Sequence, residues 1–241
     1  MRYDFDRVID RRGRNCLKYD FAAERGKPAG LLPLWVADMD LPAAEEIKQA
    51  LHEAVEHGIY GYSEVKEPYF NAVHDWMLER HGWEVEQEWM VKTPGIVYAI
   101  AAAVKAFTKE GEGVMLQNPG YYPFGQVVRD NGRVVADNTL HEESGKYTMD
   151  FEDMERKIRE YNVKLFLLCS PHNPVGRVWS EVELRKLGEI CLKHGVLILN
   201  DEIHHDFVFP GHRHYVLAGL DRRFREITVT CTAPSKTFNI A

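Results

Sequence analysis

Two apolar stretches of the sequence each lead into a group that could do chemistry. Residues 196–199 are Val-Leu-Ile-Leu without polar alternation, which predicts a strand buried on both faces of a parallel sheet, and Asp201 ends that run. A second β-rich run, residues 227–232, ends shortly before Lys236. Because open α/β sheets bind ligands at the carboxyl ends of their strands, we expect this carboxylate and this amine at the same edge.

The pair matches two needs of a pyridoxal phosphate cofactor: a lysine for covalent attachment and an acid for the pyridine nitrogen. Two further strand ends add to it. Asn173 follows the strand predicted at residues 163–169 and could hydrogen-bond a phenolic oxygen. Tyr121 follows the strand predicted at residues 114–116 and could stack on a flat heterocycle.

A phosphate site is predicted where a glycine opens a helix. The backbone amides of Ile96 and Val97 would point outwards at that helix N-terminus, and Ser235 offers a hydroxyl beside Lys236. Each of these groups also has an ordinary structural interpretation, as a cap, a turn residue or a surface lysine. It is the complete set in this order that favours the cofactor.

The elements that would position these groups alternate between strands and helices from about residue 95 onwards. Such alternation predicts an α/β fold with a mostly parallel sheet and helices on both faces. Helices are predicted at 43–57, 68–81, 95–109, 122–130, 151–160 and 180–194, and strands at 114–116, 133–136, 163–169, 196–201 and 227–232. Residues 1–42 lack strong periodicity and carry several prolines and glycines, so they predict an extended arm.

Composition limits the possible partners and the compartment. The 241 residues carry 30 basic and 37 acidic side chains with no basic block, which argues against nucleic acid and anionic membrane partners. The charged N-terminus lacks the apolar core of a signal peptide, and no apolar run is long enough to span a membrane. Four cysteines without paired spacing are typical of reduced thiols, so we expect a cytoplasmic protein.

Two groups of residues have competing interpretations. The histidines of one short segment could suggest a metal, but adjacent histidines on an extended strand point opposite ways and no metal-binding spacing accompanies them. These are His204, His205, His212 and His214. We therefore expect no metal site. Tyr62 could be only an aromatic residue of the core or of an interface.

Several motifs together resemble a known family. Residues 235–239 (Ser-Lys-Thr-Phe-Asn), 200–204 (Asn-Asp-Glu-Ile-His) and 171–176 (Pro-His-Asn-Pro-Val-Gly) are similar to fold-type I enzymes of the class I/II aminotransferase superfamily. Residues 35–40 (Trp-Val-Ala-Asp-Met-Asp) and 233–236 (Ala-Pro-Ser-Lys), with His204 where many relatives have tyrosine, resemble its MalY/PatB branch of cystathionine β-lyase-like enzymes.

The resemblance implies a three-layer, PLP-dependent transferase-like large domain with a mostly parallel sheet. Residues 1–42 would form an N-terminal arm and small-domain segment, and residues 43–241 the PLP-binding large domain. The family's C-terminal small domain would be missing from this sequence, because the chain stops just after Lys236.

The same resemblance implies roles around the cofactor ring. Lys236 would hold the cofactor covalently and Asp201 would pair with the pyridine nitrogen. Asn173, with His204, would contact the ring hydroxyl, and Tyr121 would stack on the ring.

Other implied roles concern the phosphate, the substrate and a second subunit. Ile96, Val97 and Ser235 would bind the phosphate. Tyr62 matches a tyrosine that reaches the phosphate of a neighbouring subunit, which implies a homodimer with shared active sites. Ala37 lies in the arm segment that borders the substrate carboxylate.

The activity implied is a carbon–sulfur β-lyase that cleaves cystathionine- or cysteine-type amino acids to a thiol, pyruvate and ammonia. Two alternatives stay open at this point. One is an aminotransferase of the same fold, and the other is an inactive relative that acts as a binding or regulatory protein.

Overall fold

The computed structural model describes residues 4–28 and 30–241. The chain divides into two compact units, residues 1–63 with 234–241, and residues 64–233. The expected division between an arm ending at residue 42 and a large domain stays a prediction. Within the described residues, no helix is both long and apolar enough to cross a membrane. The first three residues, part of the charged N-terminus considered above, lie outside this description.

The regular elements follow the predicted alternation closely. In chain order they are α1 Glu45–His57, α2 Glu67–His81, α3 Ile96–Phe107, β1 Gly113–Leu116, α4 Tyr122–Asp130, β2 Val134–Asp137, β3 His141–Glu143, β4 Lys146–Thr148, α5 Phe151–Glu160, β5 Val163–Cys169, α6 Glu181–His194, β6 Leu197–Asp201, α7 Leu217–Leu220, α8 Arg222–Arg225, β7 Thr228–Cys231 and α9 Pro234–Thr237. The short helices α7, α8 and α9 carry no sequence period long enough to predict.

The larger unit, residues 64–233, is built on a five-stranded parallel sheet in the order β2-β1-β5-β6-β7. Alternate residues of β5 belong to different cores. Leu165 and Leu167 pack into the cluster that contains α3 and α4, whereas Phe166 and Leu168 pack into the cluster that contains α5 and α6. The sheet is therefore buried on both faces, and the predicted three-layer α/β architecture is confirmed.

The strand order reverses direction between β1 and β5. From β1 the chain moves outwards to β2, and it then returns to place β5 on the other side of β1, followed by β6 and β7. Such a topological switch point opens a crevice at the carboxyl ends of the two central strands, where doubly wound folds bind ligands. The sequence predicts the strands but not this order, because pairing is set by long-range contacts.

Two local features differ from the sequence expectations. β3 and β4 form an antiparallel hairpin through Ser144 and Gly145, both at positive φ, that was not predicted. Residues 203–206 form turns rather than the extended segment expected around His204 and His205. The predicted capping box of α6 is confirmed, because Ser180 and Glu183 each accept from the other's backbone N–H.

Candidate active site

Asp201 ends β6, the strand between β5 and β7. Its sheet neighbours in register are Cys169 on β5 and Cys231 on β7. Asp201 is buried, with only 5% of its surface exposed. The Oδ1 atom accepts a hydrogen bond from the backbone N–H of Ile203 at 3.1 Å. Burial raises the pKa of Asp201 to about 6; the Ile203 N–H opposes this shift and the charge of Glu202 adds to it.

This carboxylate lacks a cationic partner within the described part of the chain. Its second oxygen, Oδ2, accepts no hydrogen bond there, and no lysine, arginine or histidine forms an ion pair with it. A buried carboxylate is costly unless it is paired. A cationic ring nitrogen would supply the missing partner, so Asp201 fits the pyridine end of pyridoxal phosphate.

Tyr121 lies beside Asp201 at the end of the loop after β1. Its ring packs edge-on against Phe124, with centroids 5.6 Å apart, and contacts the core cluster on the α3 side of the sheet. Burial raises the pKa of Tyr121, and the charges of Tyr122, Asp201 and Cys169 raise it further. The structure therefore brings together two of the predicted ring contacts, Tyr121 and Asp201.

The loop after β5 lies on the other side of the switch point and contains Asn173. Its backbone N–H contacts Cys169 Sγ at 3.4 Å, while its side-chain amide makes no hydrogen bond to the described residues. His172 Nε2 donates to the carbonyl oxygen of Pro119 at 2.9 Å and so joins this loop to the one after β1. His172 belongs to the sequence motif of residues 171–176, but no role was predicted for it.

The N-terminus of α3 is open, as a phosphate site requires. Gly95, at φ 157° and ψ 166°, precedes the helix, and no side chain caps its first turn. A Cβ added at Gly95 would meet no atom within 4 Å, so the space beside this glycine, directly before Ile96 and Val97, is open. Uncapped amides at the positive end of a helix dipole bind phosphate well.

In the smaller unit, residues 1–63 and 234–241, two other predicted residues contact each other. Lys236 Nζ donates to the carbonyl oxygen of Ala37 at 2.9 Å. Ser235 is half-buried beside Lys236 on α9, and Tyr62 is fully exposed, so Tyr62 is not a core residue of this chain. Its phosphate contact stays a prediction.

The Ala37 segment is fixed by neighbouring side chains of the same unit. The Asn239 side chain bonds both backbone groups of Met39, at 3.0 and 3.2 Å, and the carbonyl oxygen of Leu41 at 2.8 Å. Arg11 forms ion pairs with Asp38 and Asp40, and Lys18 Nζ reaches Asp40 at 2.7 Å. The hydrogen bonds of Asn239 hold the arm segment against the turn that follows Lys236.

The four histidines between residues 204 and 214 lie in different environments. His204 is half-buried and packs against Phe207, and His212 is exposed. His205 joins His81, at the end of α2, on the two oxygens of Asp206, with contacts of 3.2 and 3.0 Å. His214 lies nearby and pairs with Glu202.

The carboxylate oxygens of Asp206 already have hydrogen-bond partners in the protein. The atoms of His81, His205 and Asp206 lie within 4.8 Å of one another, close enough to surround an ion. However, the indole N–H of Trp76 also donates to Asp206, at 3.2 Å from each oxygen, so this carboxylate is satisfied without a metal. The expected lack of a metal site stays a prediction.

Comparison with known proteins identifies relatives along the whole chain. The family described as aminotransferase class I and II matches residues 32–241. Cystathionine beta-lyase PatB from Bacillus subtilis (strain 168) is 48% identical over 99% of this chain and 62% of its own length. The chain therefore spans less than two thirds of that relative.

Two solved structures share the fold. A PLP-bound putative aminotransferase from Clostridium difficile 630 superposes with a TM-score of 0.95 at 43% identity, over 99% of this chain and 62% of its own. Cystalysin from Treponema denticola, which contains a pyridoxal 5'-phosphate cofactor, superposes with a TM-score of 0.94 at 39% identity, over 100% and 61% respectively.

Proposed function

The chain belongs to the aminotransferase class I and II family, and we propose that it is the cofactor-binding part of a pyridoxal phosphate-dependent carbon–sulfur β-lyase. The observation that carries this proposal is the buried carboxylate of Asp201, which lacks a cationic partner among the described residues and ends β6, the strand next to the switch point, in a chain 48% identical to a cystathionine β-lyase. Its substrates would be sulfur amino acids of the cystathionine or cysteine type.

The cofactor, when bound, supplies an electron sink that withdraws electrons from the substrate Cα when a bond to that carbon breaks. Asp201 would hold a proton at the ring nitrogen, because an ionised carboxylate in a buried site favours the cationic ring. Tyr121 would stack on the ring, and the free amide of Asn173, with His204, would contact the ring hydroxyl. The open amides of Ile96 and Val97, with the hydroxyl of Ser235, would hold the phosphate.

Lys236 would attach the cofactor and then move a proton at the substrate Cα. An amine acts as a base only when it is neutral. The carbonyl oxygen of Ala37, 2.9 Å from Nζ, is an acceptor that would orient the amine once substrate has displaced it. Ala37 would thus border both the lysine and the substrate carboxylate.

The products distinguish this reaction from its nearest competitor. The complete protein, loaded with pyridoxal phosphate, should release pyruvate and a thiol from cystathionine continuously without any 2-oxo acid. If turnover stops after one equivalent and resumes only when a 2-oxo acid is added, the protein is an aminotransferase. If cofactor binds but neither reaction occurs with sulfur amino acids, the catalytic proposal is wrong.

We further propose a homodimer. Helix α1 buries none of its residues, and its apolar side chains Leu51 and Val55 are 60% and 62% exposed. Exposed apolar side chains of this kind are suited to contact with a second copy, and Tyr62, which is also fully exposed, would reach the phosphate of that copy. Light scattering of the complete protein should give twice the mass of one chain; a monomer at micromolar concentration would contradict this.

A cytoplasmic location is the last part of the proposal. It is supported by four free cysteines, three of them buried, in a chain without a disulfide among its described residues. Cell fractionation with an antibody to the protein would test it, and recovery from a secreted fraction would contradict it.

A further inference from the structure

A second buried carboxylate lies directly beside Asp201. Glu202 is the next residue along the chain and is 0% exposed, compared with 5% for Asp201. Its backbone N–H donates to the carbonyl oxygen of Cys231 at 2.8 Å, which fixes the end of β6 against β7. Two adjacent carboxylates in the interior repel each other unless one of them is compensated.

His214 is in position to compensate Glu202. The Nε2 atom of His214 lies 3.0 Å from Glu202 Oε2, and Asn200 Nδ2 donates to Glu202 Oε1 at 2.5 Å. The side chains of His214 and Glu202 are 2% and 0% exposed. Within the described residues His214 Nδ1 has no hydrogen-bond partner, so the interaction with Glu202 is the polar contact that fixes this ring.

The other groups that face His214 are two imidazoles that have a carboxylate of their own. The rings of His81 and His205 lie 5.7 and 6.1 Å from the His214 ring, centroid to centroid. Both contact the Asp206 carboxylate, so neither competes for Glu202. Glu202 is thus the anionic partner of His214, and the remaining neighbours are the His81–His205–Asp206 group.

We propose that His214, in its imidazolium form, is the counter-charge of Glu202 and thereby keeps Asp201 ionised for a cationic ring nitrogen. This inference rests on the proposed function only in naming that ring. His214 would be a positioning residue, because it touches neither cofactor nor substrate and acts through Glu202. Paired with an imidazolium, Glu202 presents a dipole to Asp201 instead of a full negative charge, and the field that disfavours the Asp201 carboxylate falls.

The sign of this effect follows from the electrostatics at Asp201. Burial is the main cause that raises the pKa of this group, and the negative charge of Glu202 adds to it. Loss of the imidazolium should therefore raise the pKa further. Loss of both charges should cancel that change, because the repelling carboxylate is then absent as well. A purely structural role predicts the opposite pattern, since two altered buried side chains disturb packing more than one.

The test is a titration of the Asp201 carboxyl by NMR in protein with 13C-labelled aspartate, the signal being assigned by its loss in Asp201→Asn. His214→Gln retains a donor towards Glu202 but cannot carry charge. It should raise the Asp201 midpoint by about one pH unit relative to wild type. The double variant Glu202→Gln/His214→Gln should return the midpoint to the wild-type value or below it.

A matched control is His194→Gln. His194 also contacts a carboxylate through Nε2, at 2.9 Å from Glu155, but both of these side chains are partly exposed. This variant should leave the Asp201 midpoint unchanged. A midpoint that His214→Gln fails to move, or that the double variant fails to restore, overturns the inference.

The cofactor spectrum provides the second measurement. In the cofactor-loaded protein, the pH at which the absorption band changes should move in His214→Gln and recover in the double variant. An NMR shift in a protein that binds no cofactor would support the charge pairing and refute the proposed function. Normal lyase turnover with no NMR shift in His214→Gln would refute the charge pairing alone.

Discussion

His172 Nε2 donates a hydrogen bond to the carbonyl oxygen of Pro119 at 2.9 Å, and this contact joins the two loops that border the switch point of the sheet. A carbonyl oxygen only accepts hydrogen bonds, so Nε2 must carry a proton. Two forms of the ring meet this requirement, the neutral ring protonated on Nε2 and the imidazolium. Burial lowers the pKa of His172, which favours the neutral ring with its proton on Nε2. The loops that carry Tyr121 and Asn173 are therefore tied together by one buried imidazole.

Replacing this imidazole should loosen both cofactor contacts. His172→Ala should weaken pyridoxal phosphate binding by about tenfold, equivalent to about 1.4 kcal/mol. His172→Gln retains a donor and should lose less. Cofactor titration followed by absorbance measures both, with the exposed His141→Ala as a control that should bind normally. Equal affinity of His172→Ala and wild type would show that the two loops hold their geometry independently.

The buried imidazole of His172 should also destabilise the folded protein at acid pH. The pKa of His172 in the folded protein lies below its ordinary value of 6.5, so the folded state binds fewer protons than the unfolded state. Its contribution to stability is complete above pH 6.5 and is lost as the pH falls through the folded pKa. His172→Gln should flatten this part of the pH–stability profile measured by urea unfolding. An unchanged slope would contradict the assignment to His172.

Asp201 should destabilise the protein when no cofactor is bound. Its pKa rises from 3.8 to about 6 on folding, so the folded state binds more protons, and stability is lost as the pH rises through this range. At about pH 8, cofactor-free Asp201→Asn should be more stable than wild type by up to about 3 kcal/mol, and the difference should disappear below about pH 4. Urea unfolding at both pH values measures this.

Asp221→Asn is the control with the opposite sign. The Arg223 guanidinium lowers the pKa of Asp221, which also caps α8, so this substitution should give no gain in stability at neutral pH. A gain for Asp221→Asn comparable to that for Asp201→Asn would mean that removal of any negative charge stabilises this acidic chain. The burial of Asp201 would then not be the cause.

Much of this arrangement was predictable, for reasons that particular residues show. The apolar run before Asp201 and the Ser180–Glu183 capping box carry local signals, so the strand and the helix start were both predicted. Local pattern also placed Tyr121 and Asn173 at strand ends. What the sequence could not give is the strand order, which makes those two ends neighbours at the switch point.

The network behind Asp201 was missed for a related reason. Glu202 is adjacent to Asp201 in sequence, but nothing local indicates that it is fully buried or that His214, twelve residues later, meets it. His81 lies on α2, far from the segment that it contacts, so no spacing rule connects it with His205. Two adjacent acidic residues at the end of a strand predicted to be buried are the signal that could have prompted a search for a compensating histidine.

Asp201 should matter far more for turnover than for cofactor retention. In Asp201→Asn the shape is kept while the charge that holds the ring nitrogen protonated is removed. Turnover should fall by several powers of ten, as expected for a loss of about 4 kcal/mol or more of charge stabilisation. The cofactor should still bind through Lys236 and the open end of α3. Near-normal turnover of a cofactor-loaded variant would show that Asp201 does not pair with the ring nitrogen.

Asn239 should be required for the position of Ala37 rather than for chemistry of its own. Its side chain makes three hydrogen bonds to the backbone of Met39 and Leu41, next to the carbonyl that accepts from Lys236. Asn239→Ala removes all three and should lower turnover, by about tenfold for each 1.4 kcal/mol of orientation lost. Borohydride reduction and peptide mapping should still find the pyridoxyl adduct on Lys236. Asn239→Asp keeps the acceptor for the Met39 N–H and should be less impaired than Asn239→Ala; if it is equally inactive and carries no adduct, Asn239 supports attachment of the cofactor itself and not the placement of the arm.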